Sequence, residues 1–174
     1  MSPLPFPTPK TITGGCLCGS IRYRVDFPPD HNFQTSSGTC QCTQCRKQTG
    51  GLFFVEHFIS PASTAFSLTS SSDPSSTMKT YSASPIADRH FCGKCGSFLY
   101  WKAKDASQDG LYLAVGSIDE EFLVGENAYG EALVNGGGKH IWCENEIKGV
   151  TDGGRVELLG GKRGERVAGN PPQE

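Results

Sequence analysis

A mainly β single domain with little helix is the fold class this sequence predicts, and three observations predict it. Apolar and polar residues alternate with period two in several short runs, the signature of half-buried strands. Glycine and proline, 22 and 11 of 174 residues, are frequent enough to punctuate many turns. No stretch carries an apolar stripe at helical spacing over four turns.

Residues 1–10 read as an extended arm stiffened by Pro3, Pro5, Pro7 and Pro9. The domain is expected to span 11–159, and 160–174 to form a polar tail. Ile21, Tyr23, Val25 and Phe27 alternate with Ser20, Arg22, Arg24 and Asp26, which predicts a strand with one buried face. Residues 52–59 form a more fully apolar strand, and Phe66 and Leu68 mark a short one. Strands are also expected over 97–102, 111–117, 139–143 and 155–159, with clear loops over 69–77 and 136–138. One short helix fits after Cys42, stopping near Gly50-Gly51.

Apolar residues make up 36% and charged residues 20%, so the core is modest and something besides burial must help hold the fold. A net charge of −2 gives no basic field for nucleic acid. The longest apolar cluster, Leu52-Phe53-Phe54-Val55, is far short of a membrane span. The proline-broken opening is not read as a secretion signal. A reducing, cytoplasmic setting is therefore expected, where clustered cysteines are ligands rather than disulfides.

Seven of the eight cysteines fall in three motifs: Cys16-Leu-Cys18-Gly, Cys40-Gln-Cys42-Thr-Gln-Cys45 and Cys92-Gly-Lys-Cys95-Gly. Thiolates prefer a soft or borderline cation, and zinc takes four of them tetrahedrally at about 2.3 Å. Cys92 and Cys95 form a two-sulfur knuckle that needs a partner pair, and Cys16 with Cys18 supplies it. Those four close one structural site. Cys40, Cys42 and Cys45 make three ligands, leaving a second site with an open position, and an open zinc can do chemistry. Cys143 stands alone in His140-Ile-Trp-Cys143-Glu144 and reads as a small buried hydrophobe.

The three motifs in this order, with Gly15–Gly19, Cys40 through Gly50 and Phe91–Gly96 as their frames, resemble the glutathione-dependent formaldehyde-activating enzyme family, whose domain is shared with centromere protein V. The resemblance covers about residues 12–148, including Val115-Gly-Ser-Ile-Asp119 and His140-Ile-Trp142. It implies a twisted β-sheet tent stapled by zinc. It further implies two zinc ions per chain, a structural one on Cys16, Cys18, Cys92 and Cys95 and a catalytic one on Cys40, Cys42 and Cys45. Glutathione is the implied cosubstrate. The implied reaction is a carbon–sulfur lyase step on the glutathione adduct of formaldehyde or another small electrophile. Gln41 departs from the family's pattern, in which His is common at this position.

Glutathione is anionic, so cations beside the metal motifs are candidate contacts. Arg46 and Lys47 follow the triplet directly and are the first choice. Arg89, His90 and Lys94 flank the knuckle and read individually as solvated charges. His57 reads as a core histidine, Glu56 and Glu144 as candidate proton carriers, and Phe98, Tyr100, Trp101 and Trp142 as core. Two alternatives stand beside the enzyme of small electrophiles. One is a lyase acting on a larger secondary-metabolite thiol adduct; the other is a non-catalytic zinc module that docks a macromolecule. In the main reading the partner is a small thiol or its adduct, with neither nucleic acid nor membrane.

Overall fold

The computed structural model describes residues 6–69, 77–152 and 165–169. Eleven short strands in these residues form two sheets. The smaller has the order β1 (Thr11–Gly15), β2 (Arg22–Asp26), β5 (Phe66–Leu68). The larger contains β3 (Ser37–Cys40), β4 (Phe54–Ile59), β6 (Met78–Ser84), β7 (Ala87–Cys92), β8 (Phe98–Ala103), β9 (Leu111–Ala114), β10 (Lys139–Ile141) and β11 (Glu165–Val167). Its spatial order is β11-β10-β3-β4-β9-β8-β7-β6. The mainly β expectation holds.

Between the sheets lie Ile12, Ile21, Tyr23, Val25, Ile59, Leu99, Leu113 and Leu133, all fully buried. The period-two run over 21–27 delivers its inward members to this core and leaves Arg24 and Asp26 paired in solvent. A seam joins the sheets where Gly14 bridges Ile118 and Tyr23 Oη shares a hydrogen bond with Ser117 Oγ at 2.9 Å. Glycine is required at 14, because a Cβ there would sit 2.2 Å from Tyr23 Oη.

The helix expected after Cys42 is α1 (Thr43–Thr49). It stops at Gly50, which adopts φ 71° and returns its N–H to Arg46 O at 2.9 Å. Residues 111–117 divide into β9 and a single 3-10 turn, and 139–143 into β10 and the start of another. Trp142 has φ 63°, a left-handed conformation that ends β10 and turns the chain.

Five strands were not anticipated. β1 ends in two glycines, and β6 and β7 carry too many polar residues for a clean alternation. β3 is small and polar yet wholly buried, which works because its groups are satisfied. His140 Nε2–H donates to Gly136 O at 3.0 Å, so its Nδ1 accepts from Thr39 Oγ1 at 2.8 Å. β11 lies within the segment read as a tail and pairs in parallel with β10. The strand expected over 155–159, most of the 69–77 loop, residues 1–5 of the arm and most of the tail lie outside the described residues. Phe6, from the remainder of the arm, packs on the core.

Candidate metal centres

Two hairpin turns build the first cysteine group. Cys16 and Cys18 occupy the turn between β1 and β2, where Gly19 at φ 73° returns its N–H to Cys16 O at 2.9 Å. Cys92 ends β7, and Gly96 at φ 76° closes the turn into β8 by donating to Cys92 O at 2.8 Å. Each turn therefore needs its glycine in the left-handed region, and each offers two sulfurs on one side. Together the turns bring Cys16, Cys18, Cys92 and Cys95 Sγ within 4.8 Å of one another. Cys16 Sγ is 3.5 Å from Cys18 Sγ, and Cys18 Sγ is 3.8 Å from Cys92 Sγ. A tetrahedron of 2.3 Å zinc–sulfur bonds has edges of about 3.8 Å, so the four sulfurs fit a zinc ion. Ile21 N–H donates to Cys16 Sγ at 3.2 Å, as a backbone amide does for a ligating thiolate. Serines surround the group: Ser20 Oγ lies 3.4 Å from Cys18 Sγ and Ser97 Oγ 3.2 Å from Cys95 Sγ.

The second group is local. β3 ends on Cys40, Gln41 N–H donates to Ile141 O at 3.0 Å, and Cys42 caps α1 by accepting Cys45 N–H on its sulfur at 3.3 Å. The three Sγ atoms also lie within 4.8 Å of one another. Here the cysteines are deeply buried, at 2%, 1% and 3% exposure. Hydrogen bonds from Cys40 and Cys45 push the Cys42 thiol well below its usual range. Cys40 is pushed well above the usual thiol range by its hydrogen bond to Cys42. Three soft sulfur donors this close together suit a thiophilic cation. Among the described residues no further His, Cys, Asp or Glu joins either group. Cys143 is outside the triplet, and its thiol donates to His140 O at 3.1 Å.

The triplet lies on a sheet face that also carries buried charge. Phe54 pairs with Cys40, and Glu56, two residues along β4, presents its side chain to the same face. Glu56 is buried, and that burial pushes its carboxyl up to about 8. Trp101 Nε1–H donates to its Oε2 at 2.8 Å, and the indole stacks on Tyr112 with centroids 3.8 Å apart. Arg89 stands directly opposite Trp101 on β7 and is buried too. This corrects the reading of Arg89 as a solvated charge. His90 points to the other face and stacks on Tyr100, while Lys94 is exposed.

A cleft of about 750 Å³ lies beside the first group and reaches the residues packed around the second, without being lined by Cys40, Cys42 or Cys45. Cys16 and Cys95 line one side of it. On the other are Phe54, Phe98 and Ala114, the residues that pack against the three cysteines from behind. Trp142 also packs on the triplet, so Phe98 and Trp142 belong to the site as well as the core. The two cations named first behave differently from each other. Arg46 Nη1 donates to Gln41 O at 2.7 Å and Asn145 O at 2.6 Å, which ties the turn after β10 to α1; Lys47 is exposed on the helix surface. Gln48 and Thr49, from the same helix, line the cleft. His57 is a core histidine: its Nδ1–H donates to Leu133 O at 3.1 Å, and its Nε2 accepts from His31 Nε2 at 2.9 Å. Burial pushes His57 down to about 3. Glu144 is exposed.

The family model described as glutathione-dependent formaldehyde-activating enzyme matches residues 11–145. A Halomonas elongata protein named "Putative glutathione-dependent formaldehyde-activating enzyme" is 28% identical over 89 residues, 51% of this chain and 54% of that protein. The chain thus spans about half the length of this curated relative. Among solved structures, that of a Rhodobacter sphaeroides protein superposes with a TM-score of 0.48 at 17% identity, covering 66% of this chain and 92% of the other. Among the described residues no helix is long and apolar enough to cross a membrane.

Proposed function

The chain belongs to the glutathione-dependent formaldehyde-activating enzyme family, and from that premise we propose a zinc-dependent carbon–sulfur lyase-type enzyme that makes or splits a glutathione–formaldehyde adduct. The observation that carries this reading is the inequality of the two cysteine groups: four sulfurs that complete a tetrahedron, and three that do not. Cys16, Cys18, Cys92 and Cys95 would hold a structural zinc; Cys40, Cys42 and Cys45 would hold the catalytic one. Zinc on three thiolates supplies a soft Lewis acid that lowers the pKa of a thiol and favours its nucleophilic form.

The chain's own residues do the rest. The cleft beside the four-cysteine group would take a tripeptide-sized thiol, with Gln48 and Thr49 as polar contacts on its wall, while Arg22 there is paired with Asp119. Of the two cations named first, Arg46 is committed to carbonyls, and Lys47 is exposed on α1 and does not line the cleft. In the forward direction the glutathione sulfur bonds to the carbonyl carbon of formaldehyde, the C=O π bond breaks, and the thiol's proton ends on oxygen. We assign that transfer to Glu56, the buried carboxyl among the described residues, held by Trp101 through Oε2: it would give its proton to the oxygen and take the thiol's in return. Phe54, Phe98 and Trp142 keep water from the sulfurs. Seven cysteines gathered as metal-ligand sets suit a reducing compartment such as the cytoplasm.

Exchange between glutathione and its hydroxymethyl adduct, followed by NMR with and without the protein, tests the reading. The wild type should accelerate exchange and Cys42→Ala should not. A wild type loaded with two zinc ions that accelerates neither this exchange nor that of larger aldehydes would leave the non-catalytic zinc module as the better reading.

A further inference from the structure

Arg89 is 5% exposed, and a guanidinium stays ionised wherever it is placed. Its Nη2–H donates to Gln44 Oε1 at 2.9 Å. Its Nε and Nη1 are buried with no hydrogen-bond partner. Among the described residues no carboxylate lies within ion-pair distance of it. A buried cation without a counter-ion is costly, and a fold keeps one where an anion sits nearby. Glu56 is on the same face, but burial favours its neutral form at pH 7. Gln44, the partner of Arg89, lies between Cys42 and Cys45 on α1, so the set beside Arg89 that becomes anionic on holding a divalent metal is the cysteine triplet.

Gln44 explains how the arginine is aimed. It lies between Cys42 and Cys45 on α1. Its Nε2–H donates to Ala83 O at 2.8 Å, while its Oε1 takes Arg89. The ligand helix and the β6–β7 hairpin are thereby clamped through one amide. Three thiolates and a divalent ion carry one formal negative charge, enclosed where water cannot screen it. We propose that Arg89 is the counter-cation of the three-cysteine centre, brought to it by Gln44 as the positioning residue, so that the buried set of ligands, ion and guanidinium is neutral. The four-cysteine group needs no such partner, because Cys18 is exposed and water solvates its charge. The inference rests on the open-centre reading of the triplet.

The test uses the full chain loaded with Co²⁺ under reducing conditions, reading thiolate-to-cobalt absorption during titration with a chelator. Arg89→Met should weaken metal binding at the triplet by about tenfold or more, the scale for residues that support a ligand set from behind. The ion on the four-cysteine group should be released at wild-type chelator concentrations. Arg89→Lys, which keeps the charge, should stay within about threefold of wild type, and Gln44→Met should fall between the two. Wild-type affinity in Arg89→Met, or a tenfold loss in Arg89→Lys, overturns the inference. If Arg89→Met does not fold, Arg89→Lys and Gln44→Met decide: near-wild-type affinity in the first with weakening in the second supports it, and the reverse overturns it. A wild type that takes up a single ion defeats the open-centre reading and this inference with it; two ions with an unaffected Arg89→Met defeat the inference alone.

Discussion

The cysteines at the joint of the two sheets and those at the head of α1 differ in reach, depth and electrical surroundings. The first group links turns whose sulfurs are 74 positions or more apart in the chain, and one of its members, Cys18, is exposed. Serine hydroxyls and backbone amides surround it. The second group comes from six consecutive residues, is almost sealed from solvent, and shares its face with a buried acid and a buried arginine. A long-range cross-link acts on the whole fold, because it removes conformational freedom from the unfolded chain. A local one gains the fold little, so its burial and its charged neighbours call for a different explanation. That explanation is chemistry.

The largest expected effect therefore belongs to the first group. Cys92→Ala should lose one zinc and destabilise the fold by about 4 kcal/mol, the loop-closure scale for a segment of this length. Thermal denaturation followed by circular dichroism checks this; a melting temperature within a few degrees of wild type would erase the contrast.

Next comes Glu56, best isolated in a Cys42→Ala background where the neighbouring thiolate is gone. Its folded value of about 8 stands above the unfolded value near 4.5. Its contribution is therefore full below about pH 4.5 and is lost as pH rises through 8. Removing Cys42 takes away one cause of the rise but leaves burial, the largest, so the Cys42→Ala chain should still lose stability between pH 5 and 9, a loss that the added Glu56→Gln change abolishes. Denaturant titrations at the two pH values measure it, and equal slopes with and without the carboxyl would remove buried charge from the comparison.

Cys42→Ala itself should cost only about 1 kcal/mol of stability, the ordinary scale for one substitution, while abolishing adduct exchange. A collapse of the fold would make the triplet structural. The smallest stability effect is expected at Gly116, which lines the cleft and faces open space. Gly116→Leu should change stability by at most about 0.5 kcal/mol yet raise the KM for the adduct roughly tenfold by filling the cleft. Unchanged kinetics would show that the cleft is not the route to the triplet.

Much of this comparison was legible in the sequence because ligand spacing is a local property. Cys42, α1 and its stop at Gly50 follow from a single run of residues, as does the alternation that makes β2. The four-sulfur partner pairing was legible by counting. Burial of Arg89 was not, since its partner Gln44 lies 45 positions away and a cation on a polar strand ordinarily faces water. β3 escaped for a similar reason: Thr39 is acceptable in the interior only because His140, 101 positions on, supplies its hydrogen bond. Arg46 has the look of a ligand contact in sequence, and only the fold shows the carbonyls of Gln41 and Asn145 that occupy it.

The most direct test is zinc stoichiometry by elemental analysis on protein purified under reducing conditions, for wild type, Cys42→Ala and Cys143→Ala. Two, one and two zinc ions per chain are the expected values, meaning a closed four-cysteine site and an open three-cysteine site. A single ion in the wild type, or loss of the second ion in Cys143→Ala, would contradict the open centre on which the enzyme reading stands.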